Sequence, residues 1–339
     1  MPRPLKEQVV VIIGASSGLG RQTAYDLADK GAAVVVAARR EQVLMTLAEE
    51  LKQRGARDAL AVATDVADSA QVHRLIDTTL QHFERIDTLM VMPGLSIYAP
   101  IEQTTLAEFE RIVDVLLMGY VRAAKAVLPV FRRQGTGTLI NVASALGQGA
   151  VPLQGAYTAA KHGIVGFTQT LQMELHGSGI HVCLVLPGSM ATPLPSIHSR
   201  SKTGRVPKAL PPVFHPKRVS RTLVRCAEHP RAVIKPDLQS KIAFPLGQLA
   251  PSLVKSVLSR YGERLQLIDE PEPSVGHDNI DTPMAEGTEV LGRWPPTSEK
   301  LARWVKAHRG EVVGGLAVGL ALYAAGHRMM SNRTKLGGG

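Results

Sequence analysis

The feature that most constrains this chain is a glycine-rich turn set between an apolar β-branched run and a helical pattern. Val9 to Ile13 leads directly into Gly14, Ala15, Ser16, Ser17, Gly18, Leu19 and Gly20, and helical periodicity starts at Arg21 and Gln22. Glycine turns sharply and lets backbone N–H groups approach a pyrophosphate, and the helix start behind it adds unsatisfied donors and a favourable dipole. Further short apolar runs follow at Ala33–Ala37, Ala59–Thr64, Thr88–Met92, Gly137–Val142 and His181–Leu186, with longer helical stretches between them. That alternation, continuing to about residue 190, is the pattern of βαβ units. It predicts an α/β fold, a Rossmann-like doubly wound parallel sheet, with ligands beyond the carboxyl ends of the strands.

Composition narrows the class. Apolar residues make up 45% of the 339-residue chain and aromatics 4%, which suits an aliphatic α/β core better than an aromatic-rich sandwich. Cys183 and Cys226 stand outside any CxxC arrangement, so neither a disulfide framework nor a cysteine metal site is expected. A reducing compartment is the simpler expectation, cytoplasmic or membrane-associated through the C-terminal segment. The histidines are scattered with no HExxH, which gives metal chemistry no foothold. Residues 1–8 are polar and the apolar run after them is too short for a signal-peptide core. A net charge of +10 attracts phosphate-bearing ligands, anionic lipid or nucleic acid alike. Its densest cluster is Arg200, Lys202, Arg205, Lys208, Lys217, Arg218, Arg221 and Arg225. No aromatic interleaving accompanies that cluster, so anionic lipid head groups fit it better than nucleic acid.

Two further constellations carry chemistry. The second apolar run ends in Ala38, Arg39 and Arg40, where an NAD site would carry an acid for the ribose hydroxyls, and no acid appears before Glu41. A guanidinium there pairs with a 2′-phosphate that a carboxylate would repel, which favours NADP(H) over NAD(H). Tyr157 and Lys161 stand four residues apart in YTAAK, on one face of a helix, with Ser144 thirteen residues before the tyrosine. A free tyrosine titrates near pH 10, so proton exchange at neutral pH needs help. A neighbouring ammonium and a positive nicotinamide both favour phenolate, and Ser144 stands where it could hydrogen-bond a substrate oxygen.

GASSGLG, NVAS, YTAAK and PGSMAT, in that order and spacing, resemble the motif set of the short-chain dehydrogenase/reductase family, over roughly residues 5 to 245. The resemblance implies that Tyr157 is the acid/base, that Lys161 holds the ribose and lowers the tyrosine pKa, and that Ser144 orients substrate. It places Asp65 and Val66 beside the adenine, and Gly94, Pro187, Gly188 and Thr192 along the nicotinamide and phosphates. It also implies a homo-oligomer, dimer or tetramer. Two departures stand out. The family's NNAG is replaced by Val91, Met92, Pro93 and Gly94, and its helix asparagine by Leu116. That asparagine supports a proton relay to the lysine in the family, so an alternative function stands beside catalysis: a catalytically weak NADP-binding pseudoenzyme or membrane-tethered scaffold.

The sequence divides into a catalytic domain over 1–245, a basic helical extension over 246–269, a flexible Pro/Gly/acidic linker over 270–298 and a C-terminal helix over 299–339. Met190 to Pro216, rich in Pro, Ser and Lys/Arg, is expected as a long loop, with a substrate lid as one role. Residues 312–326 carry no charge and contain Gly315 and Gly319 at GxxxG spacing. Fifteen helical residues reach about 22 Å against roughly 30 Å of hydrocarbon, so a membrane anchor and an ordinary C-terminal helix both remain open. The expected pocket residues, Ser96, Ile97, Leu146, Leu153, Met190 and Leu194, are mostly apolar. They point to a hydrophobic ketone, aldehyde, steroid, retinoid or acyl chain interconverted between carbonyl and alcohol.

Overall fold

Strands with both faces covered read as unbroken apolar runs, and the central strands here do so. In the computed structural model, which describes residues 2–243, 251–271 and 278–297, β1 (Val9–Ile13) is buried throughout. Val9, Val11 and Ile13 join one core cluster, and Val10 and Ile12 join the cluster on the opposite face. The remaining strands of the main sheet are β2 (Ala33–Ala38), β3 (Asp58–Ala63), β4 (Thr88–Val91), β6 (Gly137–Val142), β7 (Ile180–Val185) and β10 (Val233–Ile234). They run parallel in the order β10-β7-β6-β4-β1-β2-β3. The chain reverses direction across the sheet between β1 and β4, the switch point at which open sheets of this kind bind ligands.

Helices α1 (Gly18–Ala28), α2 (Glu41–Gln53) and α7 (Pro216–Glu228) cover one face, contributing Leu27, Leu44, Leu47 and Leu223 to its core. Helices α3 (Ser69–Phe83), α4 (Leu106–Val113), α5 (Gly119–Gln134) and α6 (Gly155–Glu174) cover the other, with Leu75, Ile112, Tyr120 and Ile164 buried there. Local capping sets several helix starts. Asp68 accepts from the backbone N–H groups of Ala70 and Gln71 before α3, and Thr105 and Glu108 form a reciprocal capping box on α4.

The long segment after β7 has its own small elements. Strand β8 (Arg200–Ser201) pairs with β5 (Ile97–Tyr98), and β9 (Arg205–Pro207) pairs antiparallel with β11 (Leu267–Pro271), which follows α8 (Pro251–Gln266). Three residues of the basic cluster are engaged in ion pairs: Arg200 with Glu108, Asp278 and Asp281, Lys202 with Glu108, and Arg205 with Glu263.

Residues 278–297, part of the stretch expected as a flexible linker over 270–298, are packed against the main sheet's domain at Ile280. Ile280 is 1% exposed and belongs to the core cluster that contains Val66, Val115 and Leu116. Proline, glycine and acidic content signals disorder only where the chain finds no partners. Here Arg39, Arg40, Arg111 and Arg200, all distant in sequence, donate to the segment's carbonyls or carboxylates. The uncharged stretch 312–326, with Gly315 and Gly319, lies outside the described residues. Among the described residues, no helix is long and apolar enough to cross a membrane.

Candidate active site

The turn after β1 is held by backbone geometry. Gly14 has φ +94° and Gly18 φ +54°, both in the left-handed region that favours glycine. A Cβ on Gly14 would lie 2.7 Å from the Met92 carbonyl oxygen, and one on Gly20 would collide with the Gly14 carbonyl. The loop therefore lies flat against the end of β4 and leaves room above it. Gly14, Ser17, Gly18, Leu19 and Gly20 line one wall of a cavity of about 130 Å³. Gly94, Ser144, Tyr157, Lys161, Pro187, Gly188, Met190 and Thr192 are among the other residues that line it.

Ser144 follows β6 and starts a short helical turn, its Oγ accepting from the Leu146 N–H at 3.1 Å. Tyr157 and Lys161 share a face of α6, and the lysine Nζ lies 5.5 Å from the centre of the tyrosine ring. Burial pushes the Tyr157 phenol up, and a hydrogen bond with Ser144 partly offsets that. Burial lowers the Lys161 ammonium to about 7. With only protein around it the phenol keeps its proton at neutral pH, so the help toward phenolate expected from Lys161 does not outweigh burial by itself.

A second cavity, of about 110 Å³, shares Ser144, Tyr157, Gly188, Met190, Thr192 and Leu194 with the first. Its other walls include the expected Ser96 and Leu146, and also Tyr98, Val151, Gln154, Ala209, Leu210 and Gln239. Ile97 and Leu153 do not line it. Ile97 is buried in β5, and the Leu153 carbonyl accepts from Ala99 at 2.9 Å in a left-handed turn. Gln154 and Gln239 had no motif to mark them. Gln239 accepts from the Ser189 N–H at 2.6 Å, and Gln154 donates to Gln266 at 2.6 Å, so each ties the cavity to a later part of the chain.

Leu116 sits in a π-helical turn, Asp114–Met118, and is fully buried. One turn later the Tyr120 hydroxyl donates to the Val142 carbonyl at 2.6 Å and lies 3.5 Å from Lys161 Nζ, which itself donates to that carbonyl at 3.2 Å. The polar neighbour of the lysine is thus a phenol on the same helical stretch.

At the far end of the loop, Ser16 Oγ accepts from Arg40 Nε and Nη2 at 3.2 and 2.9 Å. Arg39 and Arg40 also donate to backbone carbonyls of the 278–297 segment. Asp65 pairs with Arg111 at 3.2 Å, and Val66 is buried beneath. The residues expected at the adenosine end are therefore brought together, and a segment read as linker lies against them.

Residues 8–202 match the family described as short chain dehydrogenase. An uncharacterised oxidoreductase of Bacillus subtilis is 33% identical over 273 residues, 79% of this chain and 76% of that protein. Levodione reductase of Leifsonia aquatica is 36% identical over 190 residues, 56% of this chain and 71% of its own. The crystal structure of levodione reductase superposes with a TM-score of 0.60 at 27% identity, covering 70% of this chain and 98% of that one. An alcohol dehydrogenase of Thermococcus sibiricus complexed with 5-hydroxy-NADP gives 0.59 at 25% identity, covering 67% and 94%.

Proposed function

Because this chain belongs to the short-chain dehydrogenase/reductase family, NAD(P)-dependent oxidoreductases of alcohols and carbonyls, we propose that it is an NADP(H)-dependent reductase of apolar carbonyl compounds with Tyr157 as its proton donor. The observation that carries this is that Ser144 and Tyr157 line both of two adjoining cavities, with Lys161 beside them in the one walled by the glycine loop and mainly apolar surface in the other.

The residues fit a dinucleotide. The flat loop that side chains would fill, the helix start at Gly18 and the two arginines at the end of β2 suit a pyrophosphate and a 2′-phosphate. Bound there, the nicotinamide supplies the hydride in one direction and a positive ring charge in the other. Ser144 orients the substrate oxygen toward the phenol, and Tyr157 delivers its proton to that oxygen as the carbonyl becomes an alcohol. The raised Tyr157 pKa suits the donor role. Lys161 holds the ribose side of the site and, when protonated, stabilises the phenolate left behind. The reverse reaction uses the same groups with the proton moving from alcohol to phenolate.

Val151, Leu146, Met190, Leu194 and Leu210 around the substrate cavity favour a hydrophobic ketone, aldehyde, steroid, retinoid or acyl chain. A homo-oligomer is the arrangement we expect from the family. The test is a screen of apolar carbonyls and alcohols with NADP(H) and NAD(H), with Tyr157→Phe as control. Turnover preferring NADPH and lost in the variant is expected. Cofactor binding with no turnover across the panel would instead favour a pseudoenzyme, the alternative that Leu116 raises.

A further inference from the structure

Residues 278–292 carry four acids, Asp278, Asp281, Glu286 and Glu289, and no lysine or arginine. They run along the row of donors assigned above to the dinucleotide. At the end of β2, Arg39 donates to the carbonyls of Asn279 and Asp281 at 2.6 and 3.2 Å, and Arg40 to those of Met284 and Glu286 at 3.3 and 2.9 Å. At the glycine loop, the Gly18 N–H donates to the Glu289 carbonyl at 2.9 Å and Arg21 to that of Thr288 at 3.0 Å. Arg111, which holds Asp65, donates to the Ile280 carbonyl at 3.1 Å. Beyond the loop, the Gly292 N–H donates to the Ala191 carbonyl at 3.1 Å.

From this we infer that residues 278–292 are an intrasteric strap that occupies the track of the adenosine 2′-phosphate and pyrophosphate half of the cofactor, and that the cofactor must displace it to bind. The inference rests on the NADP(H) reading above. A backbone N–H offers one hydrogen, and that of Gly18 is taken. Carbonyl oxygens within 3.3 Å of both guanidinium groups stand where phosphate oxygens would stand. The carboxylates of Asp281 and Glu289 lie close enough to act on Arg39 and Arg40, so the strap also meets the arginines with negative charge. The overlap stops at the catalytic end. The cavity that runs from the glycine loop to Tyr157 and Lys161 stays open, so the strap meets the loop only at its edge, at the Gly18 N–H. Neither Arg39, Arg40, Asp65 nor Val66 lines the open part.

Two features seat the strap, and each gives a variant outside the catalytic machinery. Ile280 is its buried anchor, and Ile280→Asp removes that anchor. Gly287 has φ +68°, and a Cβ there would collide with the His198 ring, so Gly287→Val dislodges the middle. A strap seated most of the time weakens apparent affinity in proportion to the fraction of molecules it leaves open. Both variants of the full chain are therefore expected to bind NADPH, and the fragment 2′,5′-ADP, at least about tenfold more tightly than wild type. Hydrogen–deuterium exchange across 278–292 should rise when wild type is saturated with NADPH. Unchanged or weaker affinity in two folded variants, or slower exchange on binding, would overturn the strap and indicate a segment that closes over the cofactor. No NADPH binding by wild type or by either folded variant would overturn the cofactor reading and the strap with it.

Discussion

Lys161 is 3% exposed, and burial alone lowers its pKa from 10.5 to about 7. The unfolded chain holds its proton up to the higher value, so between those two pH values the unfolded state binds more protons and the stability of the fold rises with pH. Lys161→Met should therefore be more stable than wild type. The gain should be on the order of a few kcal/mol at and below pH 7 and shrink to nothing as pH approaches 10.5. Urea unfolding at several pH values measures this, and a gain that is constant with pH would contradict it. The same variant should lose nearly all turnover, the exchange of stability against activity that marks a residue kept for chemistry. The sequence marks Tyr157 and Lys161 as candidates through the joint run of GASSGLG, NVAS and YTAAK, and the fold sets both at one cavity. Tyr120 is not marked, because a lone tyrosine carries no pattern until the fold sets its hydroxyl 3.5 Å from Lys161 Nζ.

The β2–α2 junction and the glycine loop act as elements rather than as single residues. Arg39→Ser with Arg40→Ser removes four hydrogen bonds that hold the strap, a change common to both cofactors. It is therefore the ratio of NADPH to NADH affinity that should fall about 10- to 100-fold, since a charged hydrogen bond contributes about 1.5–3 kcal/mol. Fluorescence titration with both cofactors decides it, and equal losses for the two would remove the 2′-phosphate argument. The main strands were readable to within a residue or so, as Ile180–Val185 shows against the expected His181–Leu186. Their apolar runs are long and bounded by Gly, Pro, Asp or Ser. By contrast β5 with β8, and β9 with β11, are two to five residues long and arise only from pairing across the fold, Ile97 with Arg200 and Leu267 with Pro207. Local sequence carries no trace of such partners. The composition of residues 278–297 is that of a solvated tether, and the partners they pack against are remote in sequence, 78 residues for Arg200 and Asp278 and 169 for Arg111 and Ile280.

At the scale of the whole molecule, a charge network ties the catalytic domain to the described chain that follows it. Glu108 at the start of α4 meets Arg200 and Lys202 of the long segment, and Arg200 also holds Asp278 and Asp281 of the strap. Burial raises the Glu108 pKa, but hydrogen bonds from Lys202, Thr105 and Arg200 outweigh it and hold the carboxyl at about 2. A depressed carboxyl stabilises the fold above its unfolded pKa of 4.5, and that contribution is lost as pH falls toward 2. Glu108→Gln should flatten the acid limb of the stability profile, and an unchanged limb would show that the network does not hold the parts together. The central claim remains that Tyr157 delivers the proton that completes hydride transfer. It is tested most directly by following deuterium from NADPH labelled at the transferred position into the alcohol formed from an apolar ketone, for wild type and for Tyr157→Phe. The account expects labelled alcohol from wild type and a rate lowered on the order of 10³-fold in the variant, with NADPH still bound. Label transferred by Tyr157→Phe at the wild-type rate would contradict it.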